Sequence, residues 1–277
     1  MKNEEKFLVA HASDPSWQKA ANDVVRMLQP VGPQHRLGFL YVTDAFADAL
    51  EDISNFLRTK TGVPHWVGTV GFGICAPKKE YFGDAAIGAM IAPIPEEAFR
   101  VFKGIRKDVT PVIAEFSEWL CNKPPLVVTH ADPRNENVPQ IIEGLSRETN
   151  GFLIGGLTAS SGPHPQLAGE VAEGEVSGVM ISLETVPVAA SLTQGCSPIG
   201  EMHRITASEQ NILIEIDGRP ALEVFKEDIG EVLARDLRKV AGYIFAALPV
   251  SGSDTGDYLV RNLTGIDPDQ GLVAIGE

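Results

Sequence analysis

Leu40-Tyr41-Val42-Thr43 is echoed 86 residues later by Leu126-Val127-Val128-Thr129. Trp66-Val67-Gly68 is echoed by Phe152-Leu153-Ile154-Gly155 at an offset of 86 to 87, and Gly88-Ala89-Met90-Ile91 by Gly178-Val179-Met180-Ile181 at an offset of 90. One short apolar match arises easily by chance. Three in the same order at nearly constant spacing are the trace of a repeated supersecondary unit. Two such units commonly meet about a pseudo-twofold axis, and ligands often bind at such a seam.

Working outward from these blocks, each unit reads strand, helix, strand, strand. The first spans about residues 37–92. Its apolar strand Leu37 to Val42 leads into a helix with Phe46, Leu50, Ile53, Phe56 and Leu57 at three- and four-residue spacing. Strands at Trp66 to Ala76 and Ala85 to Ala92 follow. The second spans about 126–183, with strands at Leu126 to His130, Phe152 to Thr158 and Val176 to Leu183, and a helix from Val138 to Arg147. Residues 159–175 form a long polar loop, a kind usually functional or mobile. Ahead of the first unit, Phe7 to Ala10 reads as a strand and Asp14-Pro15 as the start of a helix reaching Leu28. Between the units, Ile94-Pro95-Glu96-Glu97 predicts a short helix through Phe102, and Thr110-Pro111 a second helix to Trp119. After the second unit, strands are expected at Val188 to Leu192, Ile212 to Ile216, Tyr243 to Pro249, Tyr258 to Ile266 and Leu272 to Ile275. Helices are expected after Pro220 and from Glu231 to Val240.

The expected fold is α/β. Two βαββ-type repeats form helix-covered sheets in a layered sandwich, followed by a smaller α/β domain. A chain of 277 residues suits two domains. The boundary is expected at 204/205. The chain stops at Glu277 directly after an apolar strand, so the second domain is expected to be partial.

Composition narrows the function. The formal charge of -14 repels phosphate backbones, which excludes nucleic acid as an expected partner. No apolar run reaches the length of a membrane span, and Phe7 to Ala10 is too short for a signal peptide core. Three widely spaced cysteines, Cys75, Cys121 and Cys196, make neither a zinc site nor a disulfide framework, and fit a reducing cytoplasmic compartment. No cofactor and no metal is expected.

Several motifs mimic catalytic ones. Gly71-Phe72-Gly73-Ile74-Cys75-Ala76 has dinucleotide-binding spacing, but the following Pro77 and Gly83 deny it the helix N-terminus that would hold a pyrophosphate. Asp254-Thr255-Gly256 lacks the second carboxylate an aspartic protease requires. His11-Ala12-Ser13-Asp14 and His130-Ala131-Asp132 each follow a strand and could line a pocket, or simply form turns. Gly195-Cys196-Ser197 offers a thiol, and His203 is the nearest candidate base; a small buried cysteine is the plainer role. Glycine-rich strands are a better site. Gly68, Gly71 and Gly73 in one unit answer Gly155 and Gly156 in the other, with the hydroxyls of Thr69, Thr158 and Ser160 nearby. They leave room either for a ligand or for close strand packing.

Val67-Gly68-Thr69-Val70-Gly71, Ile154-Gly155-Gly156-Leu157, Gln194-Gly195-Cys196-Ser197-Pro198-Ile199-Gly200, Asp217-Gly218-Arg219-Pro220-Ala221-Leu222 and Tyr258-Leu259-Val260-Arg261-Asn262-Leu263 together resemble the FIST family. These are small-ligand sensory domains of bacterial signalling proteins, also found in F-box proteins. The resemblance runs from about residue 36 to the end. It implies an N-terminal domain over 1–204, a partial C-terminal domain over 205–277, and binding of a small polar metabolite such as an amino acid. Gly68-Thr69-Val70-Gly71-Phe72 departs from the family's usual threonine-rich sequence there. Ligand-binding candidates are Thr69, Gly71, Gly155, Gly156, Thr158, Ser160, Cys196 and Arg261. The expected partners are the ligand, a separate signalling protein, and a second copy in a homo-oligomer. Two other readings compete with a sensor: a cysteine-dependent hydrolase or transferase centred on Cys196, and a protein-interaction scaffold.

Overall fold

The computed structural model describes residues 6–121, 123–190, 195–237, 240, 242–250 and 258–276. The chain divides into two compact units, Met1–Val188 and Ala189–Glu277. The sequence-based boundary at 204/205 falls inside the second of these.

The first unit runs through one order of elements twice. The opening half is β1 (Leu8–Ser13), α1 (Trp17–Leu28), β2 (Leu37–Thr43), a 3-10 turn leading into α2 (Leu50–Thr61), β3 (His65–Gly71), the hairpin β4 (Gly73–Ala76) and β5 (Lys79–Phe82), and β6 (Ala86–Ala92). The second half is β7 (Phe99–Ile105), α3 (Thr110–Glu115) with α4 (Ser117–Leu120), β8 (Pro125–Ala131), α5 (Val138–Thr149), β9 (Phe152–Leu157), the hairpin β10 (Gln166–Ala168) and β11 (Glu170–Ala172), and β12 (Val176–Ser182). The sheet orders correspond: β1-β6-β2-β3 in one and β7-β12-β8-β9 in the other. In each, one pair is parallel, β2 with β3 and β8 with β9, and the other contacts are antiparallel. The correspondence begins at β1 and β7, so it is longer than the blocks at 37 and 126 suggested. One feature breaks it. The hairpin β10–β11 of the second half pairs with β3 and extends the first sheet to six strands, whereas β4–β5 pairs only with itself.

Alternation along the strands builds four layers. Leu40, Val42 and Trp66 face outward onto Ala20, Ala21, Val24, Leu50, Ile53 and Leu57 of α1 and α2. Leu37, Phe39 and Val67 face inward, against Leu126, Val179 and Ile181 of the second sheet. That sheet's outer face, including Val127 and Met180, is covered by Val112, Ile141 and Leu145. Trp66 is fully buried and donates its indole N–H to Val63 O at 3.0 Å. Burying a side chain of this class contributes about 1.5–3 kcal/mol.

Two glycines set the strand spacing. A Cβ on Gly68 would lie 1.7 Å from Leu40 O, and one on Gly155 would lie 1.8 Å from Thr129 O. Only glycine lets β3 approach β2, and β9 approach β8, at these points. Close packing, not an open crevice, is what they provide, and the seam beside them is filled by the inward side chains of both sheets.

Local differences from the sequence reading have simple causes. Residues 95–102 are a short 3-10 turn, Glu96–Ala98, followed by β7 rather than a helix. The Pro-Glu-Glu start signal is real, but Phe99 is buried in the seam and Phe102 and Ile105 among residues of α3 and α5, and this burial pulls the chain into an edge strand of the second sheet. The strand expected at 66–76 breaks at Phe72 into β3 and β4. The loop 159–175 carries β10 and β11. Residues 188–190 are not a strand, and residues 191–192, the rest of that expected element, lie outside the described residues.

The second unit contains β13 (Ile205–Glu209), β14 (Ile212–Ile216), the two-residue β15 (Arg219–Pro220), α6 (Ala221–Ala234), β16 (Phe245–Pro249), β17 (Tyr258–Asp267) and β18 (Leu272–Ile275). Its sheet order is β13-β14-β18-β17-β16, entirely antiparallel, with Leu213, Leu222, Val273 and Ile275 in its core. Helix α6 has Pro220 as its N-cap, as expected, and is kinked at Gly230 (φ 77°), so the helix placed by sequence from Glu231 is its last segment and ends at Ala234. No helix among the described residues is long and apolar enough to cross a membrane.

Candidate functional site

Two groups of side chains qualify, one in each unit. In the first unit a polar chain crosses the seam between the sheets. Tyr41 on β2 and His130 on β8 are hydrogen-bonded, hydroxyl to Nε2, at 3.0 Å. Their rings meet edge to face at 5.5 Å. Thr69 lies beside Tyr41 in the β2–β3 register, and its Oγ1 is 2.7 Å from Thr158 Oγ1. Thr69 also donates to Pro165 O, and Gln166 donates to Thr158 Oγ1 at 2.8 Å. Ser177 stands opposite His130 in the β8–β12 register. All but Tyr41, which is partly buried, are buried by accessible area. His130 Nδ1, Ser177 Oγ and Gln166 Oε1 have no hydrogen-bond partner among the described residues. An unpaired buried polar atom costs about 1–3 kcal/mol, so three at one seam are a significant departure from ordinary core packing.

Burial sets the protonation here. Desolvation lowers the His130 pKa from 6.5 to about 4, so its imidazole is neutral at pH 7. Desolvation also raises the Tyr41 pKa, keeping the phenol protonated. Two residues on, burial pushes the Asp132 carboxyl up. Hydrogen bonds from the Arg134 side chain, the Arg134 backbone and Gly174 N–H outweigh that, and hold it at about 2. Arg134 also reaches Glu173 at 2.5 Å, and so fastens the loop before β12 to the end of β8. His130 and Asp132, two residues apart, therefore serve different structures. The other such pair does too: His11 Nδ1 is hydrogen-bonded to the Tyr81 hydroxyl, and Asp14 accepts from Ser16 N–H in a turn.

In the second unit a cavity of about 650 Å³ opens beside the sheet. Its wall is mainly apolar, with Ile199, Met202, Leu213, Phe225, Ile229 and Leu263 among its residues. Cys196, Tyr243 and Tyr258 add polar atoms, and Glu201, His203 and Asp228 add charge. His203 donates from Nδ1 to Asp217 Oδ2 at 2.6 Å and from Nε2 to Asp228 Oδ1 at 3.3 Å. The Asp217 bond above all raises the His203 pKa; desolvation opposes it, and the Asp228 bond adds to the rise. With both ring nitrogens on carboxylates, His203 is not placed as a base for Cys196. The Cys196 carbonyl accepts from the Tyr258 hydroxyl at 2.7 Å.

The residues singled out by sequence fall as follows. Thr69 and Thr158 meet directly in the seam. Gly71 ends β3 opposite Thr43, and Gly155 is the close-approach residue of β9. Gly156 is exposed on β9, and nothing would touch a Cβ there. Ser160 accepts from Gly162 N–H within the loop. Cys196 lines the cavity. Arg261 sits on β17, donates to Val260 O, and is not part of the cavity wall. Gln194 and Asp254-Thr255-Gly256 lie outside the described residues. Sequence reasoning missed Tyr41 and Gln166, whose only signal is a polar residue at an inward position of a buried strand. Among the described residues no cluster of His, Cys, Asp and Glu has the arrangement of a metal site.

The family model described as FIST N domain matches residues 36–219. The chain is 26% identical over 221 residues to an uncharacterised protein of Mycobacterium tuberculosis, covering 76% of this chain and 57% of that protein. An uncharacterised protein of Mycobacterium bovis is 33% identical over 97 residues, 33% of this chain and 24% of that protein. The chain thus spans little more than half the length of the first of these relatives. No solved structure matches it.

Proposed function

Because the chain belongs to the FIST N domain family, a family associated with sensory ligand binding, we propose that it is a small-ligand sensor that holds its ligand in the cavity of the second unit. The supporting observation is the cavity's size and wall. About 650 Å³ lies in the usual range for small-molecule pockets, roughly 300–1,000 Å³. The walls suit an apolar body, and the carboxylates of Glu201 and Asp228 suit an ammonium head. An amino acid or amine with an apolar side chain has both. Ligand binding is read out only if two conformations differ in affinity for it, and we read the output as passing to a separate signalling protein in the cytoplasm. We read the two halves of the first unit as copies of one ancestral element.

A thermal-shift screen of the full chain against free amino acids and their decarboxylated amines tests this. Stabilisation by apolar members, lost in Asp228→Asn, is the expected pattern. A flat response to every compound removes the sensor reading. A second reading has the seam of the first unit, filled in this structure, part to admit the ligand, and is favoured by the unpaired atoms of His130, Ser177 and Gln166. It predicts that Tyr41→Phe, and not Asp228→Asn, abolishes the shift. The cysteine-enzyme alternative predicts a Cys196 thiol that alkylates much faster than Cys75 or Cys121. Equal rates eliminate it.

A further inference from the structure

The two central sheets of the first unit differ at one edge. On β3 that edge is fully engaged: Leu167 pairs with Gly68, Gly169 N–H donates to Trp66 O, and Ala159 N–H donates to Val70 O. Its counterpart is β9, where Gly155 plays the part of Gly68. Among the described residues no strand pairs with the outer edge of β9. Thr158 N–H donates to Ala131 O on the β8 side. Alternation then turns the backbone groups of Leu153, Gly155 and Leu157 toward the open edge. Phe152, Ile154 and Leu157 are 53%, 39% and 59% exposed. The chain's own hairpin is not placed to cover them. Tyr81 of β5 is tied to His11, and Ile74 of β4 packs over Gly88.

We propose that β9 pairs antiparallel with β9 of a second copy of this chain, about a twofold axis at Ile154. Three observations select this occupant. In that register Leu153 stands opposite the partner's Gly155, reproducing the Leu167–Gly68 pair already formed on β3. Phe152 stands opposite the partner's Gly156, where nothing would meet a Cβ, so a large apolar side chain covers a bare glycine. The strand Phe-Leu-Ile-Gly-Gly-Leu carries no charge. Edges that must stay single usually carry charges, and in a chain of charge -14 a neutral strand brings no like charges together. The two four-stranded sheets then join into one of eight, and the interface is isologous.

Sedimentation equilibrium of the full chain tests the pairing. The expected mass is twice the 29.8 kDa chain. Ile154→Lys puts two like charges at the axis and halves the mass, with far-UV circular dichroism unchanged. Ile154→Cys, with Cys75, Cys121 and Cys196 changed to Ser, closes a disulfide-linked dimer on oxidation. A wild-type mass of one chain overturns the proposal. So does a dimer that survives Ile154→Lys, or one that fails to cross-link through Cys at 154.

Discussion

Acidification is expected to weaken the first unit through His130. Folding buries this imidazole, and its pKa falls from 6.5 to about 4. Above pH 6.5 it is neutral in both states and folding pays no proton penalty. As pH falls below 6.5 the unfolded chain takes up a proton that the folded chain refuses, so stability declines. The decline levels off below about pH 4, where both states are protonated. At roughly 1.4 kcal/mol per pH unit the full loss is about 3 kcal/mol. That is a large part of the ~5–15 kcal/mol holding a typical domain together. Trp17, Trp66 and Trp119 are the three tryptophans of the chain, and all lie in the first unit. Urea unfolding followed by tryptophan fluorescence therefore reads that unit alone. The assay compares wild type with His130→Gln between pH 4.5 and 7.5, above the range in which Asp132 titrates. Wild type should lose most of the 3 kcal/mol across this interval, and the variant should be nearly flat. Parallel curves would show that His130 is not held neutral by burial, and the seam's description would fail with it.

Gly68→Ala should cost about 3 kcal/mol, at the upper end for overpacked sites, because the new methyl meets Leu40 O. Gly156→Ala, where no atom of its own chain would meet a Cβ, should stay within about 0.5 kcal/mol of wild type in the same urea titration. Arg134→Ala strips Asp132 of its side-chain partner and should loosen the loop it fastens, read as faster amide exchange across residues 170–175. Tyr41→Phe leaves His130 Nε2 without its hydroxyl and should cost a similar amount, about 1–3 kcal/mol. In the second unit, stability tied to His203 should run the other way. Its raised pKa makes the contribution complete below pH 6.5 and lost as pH rises through the folded value, visible as a falling alkaline limb that His203→Gln removes.

How much was legible in the sequence depended on what each residue had to report. Helices α2 and α5 were read from apolar spacing, because one face is buried and the other wet. The central strands were found as apolar runs, but their register was not. Leu40 looked equivalent to Leu126, whereas the pairing of Gly68 with Leu40 and of Gly155 with Thr129 makes Leu37 the counterpart of Leu126. Strands buried on both faces are apolar throughout, so nothing in their pattern marks in from out. The corrected register makes Tyr41 the counterpart of His130, so the two central polar residues of the seam occupy matching places and bond to each other. Thr69 and Thr158 were named from sequence, yet their contact depends on a hairpin crossing between halves. The cavity was equally hidden, since Cys196, Asp228 and Leu263 are distant in sequence and converge only through the packing of α6 on its sheet.

That crossing hairpin has a practical outcome. Residues 166–172 are encoded in the second half but complete the sheet of the first. Severed between β7 and β8, neither fragment holds every strand of its own sheet, and each holds a piece the other needs. Coexpressed fragments should find each other and restore one molecule, which makes this fold a natural starting point for a split reporter.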